Sequence, residues 1–196
     1  MTDQLIRCDW CHGDPLYQAY HDEIWGVPCF DDAHLFEFLL LEGAQAGLAW
    51  ITVLRKREGY RAAFDGFDAE KIARYDGHKM EALRHDSGII RNKLKIASAV
   101  KNARAYLAIQ EKYGSFSDYL WQFVDGQPIQ NQFTNAAEIP ATSSEAEAMS
   151  KALKKVGFNF VGPTICYAYM QACGLVNDHT LNCHRHAHCQ ELGLKK

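Results

Sequence analysis

Two ends of this chain carry the same ligand chemistry. Cys8, Cys11, His12 and His21 stand near the start, and His179, Cys183, His184, His186, His188 and Cys189 near the finish. Thiolate sulfur and imidazole nitrogen are favoured tetrahedral donors for Zn2+, and His179-x3-Cys183 can bring two of them to one ion from a helical turn or a tight loop. The spacing leaves the other donors open: Cys8 with Cys11 as a Cys-x2-Cys knuckle, or one of these with His21. Four protein donors fill the tetrahedron and leave no position for an activated water, so the expected ion is structural and clasps the two ends. The plainer alternative makes Cys11 and Cys29 small semi-buried residues and the histidine run a solvated terminus.

A second cluster is aromatic. Trp10, Tyr17, Tyr20 and Trp25 crowd one short stretch among small and turn-forming residues. Rings at this density form core, or they form the walls of a pocket that stacks a flat ligand and favours a cationic one through the negative ring face. Glu42 follows the apolar run Leu39-Leu40-Leu41 and precedes a glycine-marked turn. A carboxylate there is either a solvated helix end or a partly buried acceptor for a ligand. A third feature is Phe158-Asn159-Phe160-Val161-Gly162-Pro163-Thr164, a short turn that opens a helix after Lys151, Lys154 and Lys155. Unpaired N–H groups and the helix dipole make such a turn either a phosphate cradle or an ordinary connection.

The elements that must carry these residues read as helices. Asp31-Asp32 caps a helix whose Leu35, Phe36, Leu39 and Leu40 share one face, ending near Gly43 and Gly47. Trp50 to Tyr60 resumes the pattern with a basic exit at Arg55, Lys56 and Arg57. From Arg91 to Tyr113, residues Leu94, Ala97, Val100, Arg104 and Leu107 step at helical spacing, and Gly114 can stop the helix in a left-handed conformation. Thr142-Ser143-Ser144-Glu145 fits a capping box for a helix that runs through Ser150 to Val156 and stops at Gly157. Pro163 suits a first helical position and Gly174 the residue beyond the last turn, which brackets a helix over Thr164 to Cys173. Alternating β-branched runs are scarce, so the class is all-α with almost no sheet.

Composition bounds the rest. With 196 residues, 47% apolar and 23% charged, the chain can close one sizeable core, and disorder is excluded. No linker or repeat divides it, so residues 1–196 read as one unit. The net charge of −3 argues against a uniformly basic nucleic-acid coat but permits a local basic face. Arg55, Lys56, Arg57, Arg91, Lys93, Lys151, Lys154 and Lys155 are its candidates, with scattered solvated side chains as the alternative. No apolar run approaches the roughly 18 residues of a membrane helix, and the start lacks the layout of a secretion signal, so a soluble cytoplasmic protein is expected. There, seven cysteines favour metal over disulfides.

Together the motifs resemble the DNA-3-methyladenine glycosylase I family of the helix-hairpin-helix DNA repair superfamily. The matching stretches are Arg7-Cys8-x-Trp10, Asp14-Pro15-Leu16-Tyr17-x-x-Tyr20-His21-Asp22, Trp25-Gly26-Val27-Pro28, Leu41-Glu42-Gly43, Gln45-Ala46-Gly47-Leu48-x-Trp50, Gly88-Ile89-Ile90-Arg91-Asn92-Lys93, Asn102-Ala103-Arg104-Ala105-Tyr106, and Phe160-Val161-Gly162 through His179. The resemblance implies an all-α helix-hairpin-helix glycosylase fold with its hairpin at about 151–174, and a clasp joining 8–21 to 179–183. It implies a monomer that removes N3-methyladenine from alkylated double-stranded DNA and releases 3-methyladenine. It selects Cys8, His21, His179 and Cys183 as ligands of a structural Zn2+, and leaves Cys11 out. It casts Glu42 as the residue that hydrogen-bonds the extruded base, Tyr20 and Trp50 as ring contacts, and Trp10, Tyr17 and Trp25 as further pocket residues. Leu48 becomes the candidate wedge into the base stack, and Gly162, Thr164 and Lys155 contacts to DNA.

Ionised, Glu42 would accept from the exocyclic amine and attract the cationic ring. Three departures from the superfamily matter. Its hairpin usually reads Leu-Pro-Gly-Val-Gly, and only the second glycine is kept here, as Gly162. Members that also cut the backbone carry an amine two residues after that glycine; Thr164 stands in its place and removes the Schiff-base route, which predicts a monofunctional enzyme. The superfamily's catalytic aspartate corresponds to Asn177 in Val176-Asn177-Asp178-His179, so no aspartate mechanism carries over. The tail His184 to Cys189 has no counterpart in the pattern and is expected to be mobile. The competing functions are a zinc-stabilised module that binds damaged DNA without chemistry and a zinc hydrolase of small molecules.

Overall fold

Local capping chemistry sets most helix boundaries in the computed structural model, which describes residues 5–194. Residues 1–4, part of the stretch read for a secretion signal, and the last two of the 1–196 unit lie outside the described residues. Helix α1 (Pro15–Glu23) starts where the Asp14 carboxylate accepts from Leu16 and Tyr17 N–H and Pro15 takes the first turn. Helix α2 (Asp32–Gln45) starts at Asp31, whose side chain accepts from His34 N–H. It is apolar on nearly every side, with Leu35, Phe36, Phe38, Leu39, Leu40 and Leu41 all buried. Such a helix must be central, and α2 packs against helices at Trp50–Leu54, Lys93–Tyr113, Phe116–Trp121 and Pro163–Ala172.

The expected Trp50–Tyr60 helix is two: α3 (Trp50–Leu54) and α4 (Arg57–Ala63). The break at Lys56 turns Arg57 inward, where its Nε donates to Glu37 at 2.6 Å and its guanidinium lies 4.8 Å above the Phe38 ring. Arg57 is therefore a core cation rather than a member of the basic face. Helices α5 (Ala69–Ile72) and α6 (Gly77–His85) lead to α7 (Lys93–Tyr113). Asn92 caps α7 through bonds from Leu94 and Lys95 N–H, so Arg91 precedes the helix, and Gly114 ends it at φ +84°. The buried stripe is Ile96, Ala99, Val100, Ala103, Tyr106 and Ile109, rotated from the one expected. Leu94 is 69% exposed, and Arg104 spends its Nε on the Ala73 carbonyl.

Helix α8 (Phe116–Trp121) is tied to α2 by Asp32, which accepts from Phe116 N–H, Ser117 N–H and the Ser115 hydroxyl. The described sheet is one parallel pair of two-residue strands, β1 (Ile129–Gln130) and β2 (Val176–Asn177), in keeping with the all-α reading. Helix α9 (Ser144–Val156) is capped by Ser143, not Thr142: the Ser143 hydroxyl accepts from Ala146 N–H, and with Ala146 at the third helical position the expected Thr142–Glu145 box does not form. Helix α10 (Pro163–Ala172) has Pro163 at its first turn, and Gly174 follows its end at φ +70°. The α9–turn–α10 unit is the hairpin.

The histidine-rich tail, expected from its sequence to lie loose at the end of the chain, is helical. It forms α11 (His184–Gly193), capped by the Cys183 sulfur, which accepts from Arg185 N–H. His186 Nε2 lies 2.9 Å from the Asn131 carbonyl, and Cys189 is buried. These inward contacts order a segment that spacing alone leaves undetermined. No helix among the described residues is long and apolar enough to cross a membrane.

Candidate functional site

The four ligand atoms of Cys8, His21, His179 and Cys183 lie within 4.8 Å of one another, and all four residues are buried. Cys183 Sγ is 3.4 Å from His21 Nε2 and 3.5 Å from His179 Nδ1, and Cys8 Sγ is 3.7 Å from His179 Nδ1. These match the ~3.5 Å edges of a tetrahedron built on Zn–S and Zn–N bonds. The remaining ring nitrogens are held from outside. His179 Nε2 lies 2.9 Å from the Trp25 carbonyl, and His21 Nδ1 lies 2.8 Å from the Asp22 carboxylate. Such partners fix which nitrogen faces the ion. Arg7 grips the same Asp22 at 2.7 Å; burial would raise that carboxyl, but bonds from Arg7 and His21 hold it down at about 2.

The Cys8 thiol donates toward Cys183, which pulls Cys183 down to about 7 and, together with burial, pushes Cys8 up. Two buried cysteine sulfurs set between two oriented imidazoles are a donor set that fits Zn2+. Cys11 is excluded: its thiol donates to the Cys8 carbonyl at 3.1 Å, and it lies outside the cluster. Bound there, the ion would supply cross-linking between chain segments some 160 residues apart and no open coordination position.

The clasp supports a cavity. The Trp25 ring stands edge-on to His179 at 4.6 Å and Trp10 edge-on to His21 at 5.3 Å, and Trp10 and Trp25 touch at 5.0 Å. These two indoles, with Tyr17, Tyr20, Glu42 and Trp50, line an open cavity of about 320 Å3. All six pocket residues named from the sequence thus meet. Tyr20 and Trp50 lie 5.4 Å apart at a tilt of 48°. Burial holds the Tyr20 phenol neutral well beyond its ordinary range.

Glu42 is 3% exposed, and its Oε2 has no hydrogen-bond partner among the described residues. Burial alone lifts its carboxyl to about 8, so at neutral pH the site holds it mainly protonated. An acceptor role for this carboxyl therefore requires that it give up that proton. Gln45 Oε1 and Trp50 Nε1 are likewise buried and unpartnered. Three such atoms on one cavity mark a site built for a polar ligand.

The sequence reading missed Gln45, Ala136, Ile139, Ala168 and Gln171, which also line the cavity. Gln45 was readable, since three residues on from Glu42 it shares the same helix face. Ala136 starts, and Ile139 directly follows, a single 3-10 turn (Ala136–Glu138) capped by Asn135, too short to carry a periodic signal. Gln171 is held by Asp178, whose carboxylate accepts from Gln171 Nε2, Tyr167 Oη and Asn131 Nδ2. Asn177, in the place of the superfamily's aspartate, spends its amide on Gln130 and the His186 carbonyl.

The remaining candidates lie outside the cavity lining. Leu48, 40% exposed, sits in the turn between α2 and α3. Lys155 and Thr164 are exposed on α9 and α10, and Gly162 is the half-buried N-cap of α10. Phe160 stands where the superfamily pattern has its first glycine and itself adopts the left-handed conformation, φ +57°. Its backbone cost is offset by packing: Phe160 lies so close to α2 that a Cβ on Gly43 would stand 3.3 Å from its own Cβ. Asn102 pins the turn from below, with Nδ2 donating to the Asn159 carbonyl and Oδ1 accepting from Asn159 N–H. Ala168 lies midway along α10 and Gln171 near its C-terminal end, so one helix joins hairpin to cavity.

The chain is similar throughout to characterised proteins. It is 55% identical to DNA-3-methyladenine glycosylase 1 of Escherichia coli K12 over 91% of this chain and 96% of that protein. A crystal structure of 3-methyladenine DNA glycosylase I superposes with a TM-score of 0.91 at 54% identity, covering 92% of this chain and 100% of that one. The Staphylococcus aureus enzyme, in a structure concerned with 3-methyladenine recognition, gives 0.89 at 37% identity over 92% and 96% of the two chains. The family model for methyladenine glycosylase matches residues 10–186. With the clasp, the hairpin and the aromatic cavity all in that frame, this chain belongs to the methyladenine glycosylase family.

Proposed function

We propose that this protein hydrolyses the N-glycosidic bond of N3-methyladenine in alkylated double-stranded DNA, as a cytoplasmic monomer without lyase activity. The observation that carries this reading is Glu42: a buried carboxyl with a free oxygen, facing a cavity walled by indole and phenol rings. Methylation at N3 makes adenine cationic. Cleavage of its C1′–N9 bond returns the electron pair to the ring and expels a neutral base, so no strong general acid is required. Water then forms the new bond to the cationic C1′ of the sugar and releases one proton to solvent. The enzyme's task is to unstack the nucleotide and to select the cation.

The cavity suits that selection. Tyr20 and Trp50 offer ring faces to a flat cation, with Trp10, Tyr17 and Trp25 behind them. A cation entering beside Glu42 favours the ionised carboxyl, which then accepts from the exocyclic amine. Neutral adenine provides no such drive and meets a protonated acid instead. Leu48 fills the gap left in the stack, while N–H groups of the α10 N-terminus at Gly162–Thr164, together with Lys155, hold phosphate. Thr164 supplies a hydroxyl where a lyase needs an amine, so the backbone stays intact. Zn2+ on Cys8, His21, His179 and Cys183 keeps the aromatic walls in place and takes no part in the chemistry.

The test is incubation with methylated duplex DNA followed by chromatography of the released bases. Free 3-methyladenine from an uncut backbone is expected. Tight binding without release would instead identify a damage-binding module, and strand cleavage would overturn the monofunctional assignment.

A further inference from the structure

Lys95 stands outside the cavity and outside every role assigned so far. It lies in the first turn of α7, and its ammonium donates at 2.7 Å to both the Ala44 and the Ala46 carbonyls. These are end carbonyls of α2, which have no partner within the helix. A cation at a helix C-terminus is also favoured by the dipole. The turn it grips is short: Leu48 N–H donates to the Gln45 carbonyl, Gly47 takes φ +77°, and α3 begins at Trp50. Within six residues the chain carries Gln45 and Trp50 into the cavity and Leu48 outward.

The other end of the grip is equally placed. Arg91, Asn92, Lys93 and Leu94, which run up to Lys95, are exposed at the N-terminus of α7. We propose that Lys95 is a positioning residue that ties the Leu48 turn to the α7 N-terminus, holding Leu48 at the height needed to enter the base stack. This rests on the reading of the protein as a base-extruding glycosylase with Leu48 as its wedge. Lys95 does not touch the cavity, so its loss should impair extrusion from a duplex and spare the pocket. Loss of two charge-assisted bonds frees the turn, and a side chain misplaced in this way loses much of its effect.

The experiment compares wild type, Lys95→Met, Lys95→Arg, Leu48→Ala and the Lys95→Met/Leu48→Ala double variant. Each is assayed for single-turnover excision from methylated duplex DNA, affinity for free 3-methyladenine by tryptophan fluorescence, zinc content and melting temperature. Lys95→Met is expected to slow duplex excision about tenfold or more, leave free-base affinity within about twofold, and add little to Leu48→Ala. Lys95→Arg, which keeps charge and donors, should restore most of the rate. Parallel loss of excision and free-base affinity, full additivity with Leu48→Ala, or an unchanged rate would each overturn the inference. If Leu48→Ala excises normally, the wedge and the inference fall together while the glycosylase stands; if wild type releases no 3-methyladenine, the glycosylase reading itself fails.

Discussion

The proposed function puts the selection of a cationic base on one proton, that of Glu42. Its carboxyl titrates near 8 in the folded chain against an ordinary 4.5. Between those values the native state binds more protons than the unfolded state, so this residue makes stability fall as pH rises from about 5 to 8. At neutral pH the cost is on the order of 3 kcal/mol. An amide at this position would not titrate, so in calorimetry Glu42→Gln should lose less melting temperature than wild type between pH 5 and pH 8, by several degrees; equal slopes would show that the site is wetter than its burial implies. The same substitution, and Glu42→Ala, should lower excision about tenfold or more while retaining zinc. Unchanged excision would remove Glu42 from the mechanism. That this residue could be singled out in advance has a physical reason: a charge ending an apolar run is costly unless something uses it. Ile139 and Ala136 offered no such anomaly, because a small or apolar side chain in a short turn looks the same whether it lines a cavity or only covers a core.

Helices were legible where their boundaries rest on local chemistry, as at Asp31, Gly114, Pro163 and Gly174. They were misread where tertiary contacts decide, as at Lys56, where inward pairing of Arg57 with Glu37 splits one helix into two. The stripe of α7 was rotated because its apolar faces overlap, and packing against α2, α5, α6 and α8 selects between them. Gly174 shows what one position does for the elements around it. It ends α10 at φ +70°, and a Cβ there would stand 2.3 Å from the backbone of Val27, in the strap that also carries Trp25. Gly174→Ala should therefore cost more than about 2 kcal/mol in urea unfolding and weaken free-base binding by disturbing the Trp25 wall. Gly157→Ala, also at positive φ but in open space, should cost only the backbone penalty of about 1 kcal/mol. Equal losses would show that close approach to Val27 adds nothing.

The molecule as a whole is acidic, so DNA must be met by a local basic face rather than by net charge. With Arg57 turned inward, the exposed candidates are Arg55, Arg91, Lys93, Lys151, Lys154 and Lys155. Each phosphate neutralised should add about −0.9 to the slope of log affinity against log salt, and Lys155→Ala should reduce that slope by about one. An unchanged slope would place Lys155 off the DNA path. The clasp acts at the same scale, because it joins the first and last described helices and props the aromatic walls through Trp10 and Trp25. Its ligands were legible from spacing only as donor types at both ends of the chain; the resemblance named the set of four, and the fold shows why Cys11, better spaced to Cys8, is left out, since its thiol turns to the Cys8 carbonyl. Cys183→Ala should abolish stoichiometric zinc, lower the melting temperature and weaken 3-methyladenine binding, and a strong chelator should do the same to wild type. Cys11→Ala should leave one zinc per chain. If chelation removed zinc and left both melting and base affinity unchanged, the pocket walls would stand without the clasp, and the indoles would owe their positions to the helix core alone.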